Sequence, residues 1–296
     1  MARQPNALTP VARRLVEAGG EVLSAPTDRP SFLHAVLCQV GLPRRKVEGD
    51  TFERRSGNAS LRVKAGELWD GRTQEWVPQP LPYGTRPRLA LVHVSSEAVR
   101  TRNPVVEVGH STREFLGRLG IDAGGREHAA FLRQMRALAA CEMRLGIGPA
   151  TLRVQPIDDF AAWLHPTGNQ RTLWPGTITL APRFFETLQD AAVPLDPRAI
   201  GALSHSALQL DIYTWLAHRL HRVRTPQGER VSWAALREQF GAEYADPRNF
   251  KREMRRALAA VFSVYPDARV EEVPGGLVLK PSRPPVPRLQ APVASV

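Results

Sequence analysis

Five basic side chains stand where they could hold the phosphates of a nucleic acid. Between Asp246 and Phe262 the chain places Arg248, Lys251, Arg252, Arg255 and Arg256 at steps of three, four, seven and eight, the steps that share one face of an α-helix. Phe250, Met254, Leu258 and Val261 fall on the opposite face. Apolar side chains can then fix the helix to its own domain while Arg and Lys neutralise phosphates or reach the O6 and N7 edge of guanine. Asn249, at the helix start, suits an adenine or a phosphate. A second stretch from Arg126 to about Cys141 repeats the pattern with fewer charges: Arg126, Arg133 and Arg136 on one side with Gln134 beside them, and Phe131, Leu132, Met135 and Leu138 towards a core. Arg144, Arg153 and Lys280 fall on predicted hairpins beside these helices, where a backbone contact or plain exposure are both open. A charge run alone also describes a solvated helix face, so the elements around each helix must decide.

Those elements occur in a telling order. Asp246 is placed to cap the third of three helices, with Pro247 at its first position. Ahead of it come a helix over 206–222, a brief strand at 230–232 and a helix over 233–240. Behind it, 268–273 and 276–280 flank a Pro274-Gly275-Gly276 turn and read as a hairpin. Helix, strand, helix, helix, hairpin is the order of a winged helix, a helix-turn-helix variant whose third helix enters a DNA groove. The same order is read upstream: a helix over 88–100, a strand at 105–108, a helix from Ser111 with Glu114 completing a capping box, the helix from Arg126, and strands at 143–147, 152–157 and 177–180. The expected fold class is therefore α+β, with two tandem winged-helix domains behind an N-terminal extension. The expected divisions are a flexible 1–30, an N-terminal helix (31–40) and extended connector within 31–86, winged helices over 87–181 and 192–280, and a flexible Pro-rich tail over 281–296.

Composition agrees with an anionic partner. The 296 residues hold 40 Lys and Arg against 29 Asp and Glu, a net charge of +11, and such a balance attracts polyanions. Cys38 and Cys141 are far apart without metal-ligand spacing, which disfavours a disulfide scaffold or a zinc finger. No signal peptide or run of roughly 20 apolar residues is read, so a cytoplasmic protein without membrane contact is expected.

Other chemistries lack their residues. There is no phosphate-binding Gly-x-x-x-x-Gly-Lys loop. His218 and His221 sit three apart on a helix without a third ligand, as a surface pair would. Asp158 and Asp159 are adjacent, which in a strand points their carboxylates to opposite faces. Ser111 follows His110 but is accounted for as a cap, and the four tyrosines are isolated. No catalytic residue, cofactor or metal is expected.

The chain also resembles a known family, the RepA-type plasmid replication initiators. The resemblance is carried by Phe32-Leu-His-Ala-Val-Leu-Cys-Gln-Val-Gly-Leu-Pro-Arg44, Gly57-Asn-Ala-Ser-Leu61, Leu81-Pro-Tyr-Gly84 with Pro87-Arg-Leu89, Glu97-Ala-Val-Arg-Thr101, Leu173-Trp-Pro175 before Pro182-Arg-Phe-Phe-Glu186, and Asn249-Phe-Lys-Arg252 leading to Tyr265-Pro-Asp-Ala-Arg269. These tags span about 30–280, and their order is more specific than any one of them. The resemblance implies a protein that binds repeated duplex sites (iterons) at a plasmid origin and helps open it. It also implies recruitment of the host initiator ATPase and replicative helicase, and a homodimeric form that represses its own promoter. The competing expectation is a winged-helix transcriptional repressor without a replication role; a scaffold acting through protein contacts would show little salt-sensitive DNA affinity.

Overall fold

In the computed structural model, which describes residues 8–71, 73–121, 124–154, 157 and 176–287, a helix already stands within the first 30 residues. α1 (Pro10–Ser24) is capped by Thr9, whose Oγ1 accepts the Ala12 N–H at 3.2 Å. It packs on helices from the far end of the chain, so this segment is not the loose end expected. β1 (Ser31–His34) and α2 (Ala35–Gln39) follow. The apolar run at 31–40 predicts one helix, but its first four residues pair antiparallel with a later strand, Ser31 opposite Leu195. Tertiary pairing has overridden a helical pattern.

Next come β2 (Thr51–Ser56), β3 (Ala59–Lys64), β4 (Glu67–Asp70) and β5 (Glu75–Pro78). They lead into α3 (Thr85–Thr101), β6 (Val105–Glu107), α4 (Thr112–Arg118), α5 (Gly125–Ala140), β7 (Glu142–Ile147), β8 (Ala150–Val154) and β9 (Thr177–Thr179). Gly84 starts α3 at φ +83°, where a side chain would be strained. Ser111 caps α4 as expected, its Oγ accepting the Glu114 N–H at 3.1 Å, while the Glu114 carboxylate accepts the His110 N–H at 2.8 Å.

The expected order of helix, strand, helix, helix and hairpin is present in this first half, but the strand pairing is not that of a plain wing. β6 pairs with β9, Val106 opposite Ile178. The β7–β8 hairpin instead joins β2 and β3 in a four-stranded antiparallel sheet ordered β2-β3-β7-β8. The inward positions match along that seam: Leu61 faces Leu145 and Val63 faces Met143, all buried. Joining two amphipathic hairpins buries one common face.

The second half is simpler. α6 (Pro182–Ala191), β10 (Ala192–Leu195) and α7 (Pro197–Leu203) carry the chain to α8 (Ala207–Arg219), β11 (Glu229–Ser232), α9 (Trp233–Phe240), α10 (Pro247–Val264), β12 (Val270–Val273) and β13 (Gly276–Leu279). The last three strands form one sheet ordered β11-β13-β12. From α8 to β13 this is a winged helix in element order and in sheet, and the whole fold is α+β. Among the described residues no helix is long and apolar enough to cross a membrane.

Candidate nucleic-acid interface

α10 is built as the spacing predicts. The Asp246 carboxylate accepts the Arg248 N–H at 2.8 Å and Pro247 opens the first turn. Phe250, Met254, Ala257, Leu258, Val261 and Val264 are buried. Phe250 lies between the Trp233 ring of α9 and the Tyr244 ring, at 6.4 and 5.7 Å between centroids. Replacing Asp246 with Ala is expected to cost about 1 kcal/mol, the usual worth of an N-cap, seen as a lower thermal midpoint.

On the other side Arg248, Asn249, Arg252, Arg255 and Arg256 are exposed and Lys251 is half-buried. The guanidinium of Arg255 grips Glu272 of β12 with two hydrogen bonds, 2.9 and 2.7 Å. Hydrogen bonding to Arg255 holds the Glu272 carboxyl below its ordinary range. Lys251 and Arg255 both lie over the Trp233 ring, 5.4 and 5.7 Å from its centroid. Arg252 and Arg256 share Glu253, at 3.3 and 3.1 Å. The helix thus presents a row of cations, of which Arg255 is oriented by the wing and Arg248 has no ion pair among the described residues.

α5 is less uniform. Arg126 and Arg133 are exposed and Arg136 is half-buried. Gln134, expected beside them, is instead 5% exposed, and its Oε1 accepts the Tyr83 N–H at 2.7 Å. It stands three residues after Phe131 and four before Leu138, on the face that packs, so it supports the loop ahead of α3 and is no DNA contact. Lys280 pairs with Glu271 at 3.4 Å. The Asp158-Asp159 pair and the polar stretch 158–170 lie outside the described residues.

The feature the sequence reading missed is a buried ionic cluster joining the two halves. Arg88 of α3 binds Asp211 of α8 through two hydrogen bonds, 2.7 and 2.9 Å, and donates to the carbonyls of Leu42, Pro43 and Gly84. Arg44 lies 3.7 Å from the same aspartate and also pairs with Glu243, in the turn between α9 and α10. Arg54 of β2 reaches Glu243 at 2.9 Å. Burial alone would raise the Glu243 carboxyl; Arg44 and Arg54 more than offset this and hold it below its ordinary value. Gly41 abuts the cluster closely: a Cβ there would lie 2.6 Å from Asp211 Oδ1. A signal was present, because the tags Gly41-Leu-Pro-Arg44, Leu81-Pro-Tyr-Gly84 and Pro87-Arg88 all converge here.

Three histidines and both cysteines are enclosed. Burial lowers His34 and His93 to about 4 and His218 to about 3, keeping them neutral at pH 7. His218 is therefore not the surface residue expected. Cys38 and Cys141 are free and buried, and burial pushes both thiols up. No group of three potential metal ligands occurs among the described residues.

A winged helix whose third helix turns basic side chains outward is an arrangement suited to a DNA groove. Residues 81–235, just over half of the chain, match the family model described as plasmid encoded RepA protein, and the chain belongs to that family. The match runs from the loop before α3 to the start of α9, so α10 lies beyond it. Among solved structures, RctB domains 2-3 superpose with a TM-score of 0.51 at 12% identity, covering 83% of this chain and 96% of that one. A selenomethionine derivative of RctB domains 2 and 3 gives 0.49 at 13%, covering 82% and 95%. At 12% identity the first of these likenesses is one of fold. No curated protein matches.

Proposed function

We propose that this RepA-family chain initiates plasmid replication by binding repeated duplex sites (iterons) at its origin, with α10 as the principal reading helix. The carrying observation is that α10 turns Arg248, Arg252, Arg255 and Arg256 outward from a winged helix while Phe250 and Met254 anchor it. Asn249 and Lys251 complete its DNA face. The reading modules are taken as 87–181 and 192–280, and Arg126, Arg133 and Arg136 of α5 serve the first. Origin opening, a homodimer, and recruitment of a host initiator ATPase and a replicative helicase in the cytoplasm complete this reading, and membership of the family supports it.

Footprinting on DNA flanking the gene is expected to show regularly spaced protected repeats. On such a duplex, Arg252→Ala and Arg255→Ala should each weaken binding roughly ten- to hundredfold if the side chain reads a base. A phosphate contact should instead lower the slope of log K against log salt by about 1. Binding by both variants that equals the parent's at several salt concentrations would refute the role of α10. Supplying the gene in trans to a replicon lacking its initiator separates initiator from repressor: a repressor would fail to maintain the plasmid.

A further inference from the structure

The four-stranded sheet has one face in the core and one that no helix among the described residues covers. Phe52, Leu61, Val63, Met143 and Leu145 point inward, so residues one step away along each strand point out. On that outer face strand register sets Glu53 opposite Arg62, Arg62 opposite Arg144, and Arg144 opposite Arg153. Three arginines thus cross three adjacent strands in one row, at the roughly 4.8 Å spacing of a sheet. Arg55 and Lys64 flank the row on the same face. Glu53 is occupied by Arg62, and Arg144 and Arg153 have no acidic partner within 4 Å among the described residues.

Like charges directly opposite one another on neighbouring strands oppose pairing, and a polyanion laid across the row would relieve that repulsion. The rest of the outer face is Thr51, Ser60, Glu142, Gly146 and Thr151. It offers no aromatic ring on which an unpaired base could stack and no apolar anchor for a protein interface or a bilayer. What remains is recognition of a regular array of charges, as on a duplex backbone. The β2 edge also abuts α9, with Glu53, Arg55, Arg237 and Glu238 around one surface cleft, and α9 leads directly to α10.

We propose that this outer face is a second duplex-DNA contact, a phosphate platform that reads no base and engages DNA running past the site held by α10. It rests on the reading of α10 as a DNA helix and adds Arg62 and Lys64, from a hairpin ahead of the first helical module. The test uses the full chain, a short duplex holding one protected repeat and a longer duplex extended on both sides. Arg62→Ala/Arg144→Ala/Arg153→Ala should bind the long duplex at least tenfold more weakly and lower its salt slope by about 2 to 3. The preference for repeat over scrambled sequence should be unchanged, and the triple Lys variant should retain the slope. Should the Ala variant melt early, Arg153→Glu, an exposed single change on the outermost strand, repeats the measurement. If the sheet variants match the parent on both duplexes while Arg252→Ala and Arg255→Ala weaken binding, the platform is refuted and the reading of α10 stands. If neither set moves, both fall. Loss of binding to phosphatidylglycerol vesicles, with DNA binding intact, would assign the row to lipid headgroups and overturn the proposal.

Discussion

Asp211→Ala should destabilise the fold by about 3–5 kcal/mol, the usual cost of removing one partner from a buried ion pair. Arg88 and Asp211 are 8% and 7% exposed at their side chains, so neither water nor salt can replace the lost carboxylate. Three guanidiniums, of Arg44, Arg54 and Arg88, would then face Glu243 alone. Urea denaturation should show a much lower midpoint, and Arg88→Met combined with Asp211→Leu should recover part of it, because apolar packing can replace a buried pair with little loss. A midpoint close to the parent's for Asp211→Ala would mean that the cluster contributes no net stability. The pH dependence has a definite sign. Glu243 is lowered in the fold, so its contribution is complete above the ordinary carboxylate range and is lost as pH falls through its folded value.

Phe250→Ala should cost about 3–5 kcal/mol, as large-to-small changes of buried aromatics do. Phe250 is 1% exposed and sits between Trp233 and Tyr244. Its loss would loosen α10 from α9 while leaving every cation of α10 in the sequence. DNA affinity should fall with stability in Phe250→Ala and largely survive in Phe250→Leu, whose cost is expected to be near 1 kcal/mol. Equal DNA affinity for parent and Phe250→Ala at a temperature where both are folded would show that α10 needs no such anchor to bind.

The second winged helix was legible because every signal in it is local. Asp246 and Pro247 mark the start of α10, the apolar period of 250, 254, 258 and 261 marks its inner face, and Pro274-Gly275-Gly276 marks the turn of the wing. The first half was legible in element order but not in pairing, since the union of β3 with β7 links residues some 80 positions apart and leaves no mark in either hairpin alone. Gln134 was misplaced because polarity suggested exposure while its helical phase placed it inward. The burial of Arg44, Arg54 and Arg88 was not legible for a related reason. Charge is a guide to surface position only until a buried partner exists, and Asp211 and Glu243 lie more than a hundred residues further on.

α1 packs against α7 and α10, with Gly19 so near the Ser263 carbonyl that a side chain there would collide with it. Synthesis separates α1 from α10. α1 leaves the ribosome well before α10, so every element between them must be translated before the two can meet. Until then the nascent protein exposes the part of α1 that α10 covers, and exposed apolar surface is the circumstance in which large chains aggregate or call on chaperones. A prematurely terminated product lacking α10 would therefore lose more than the proposed DNA-reading element: it would leave the part of α1 around Gly19 uncovered.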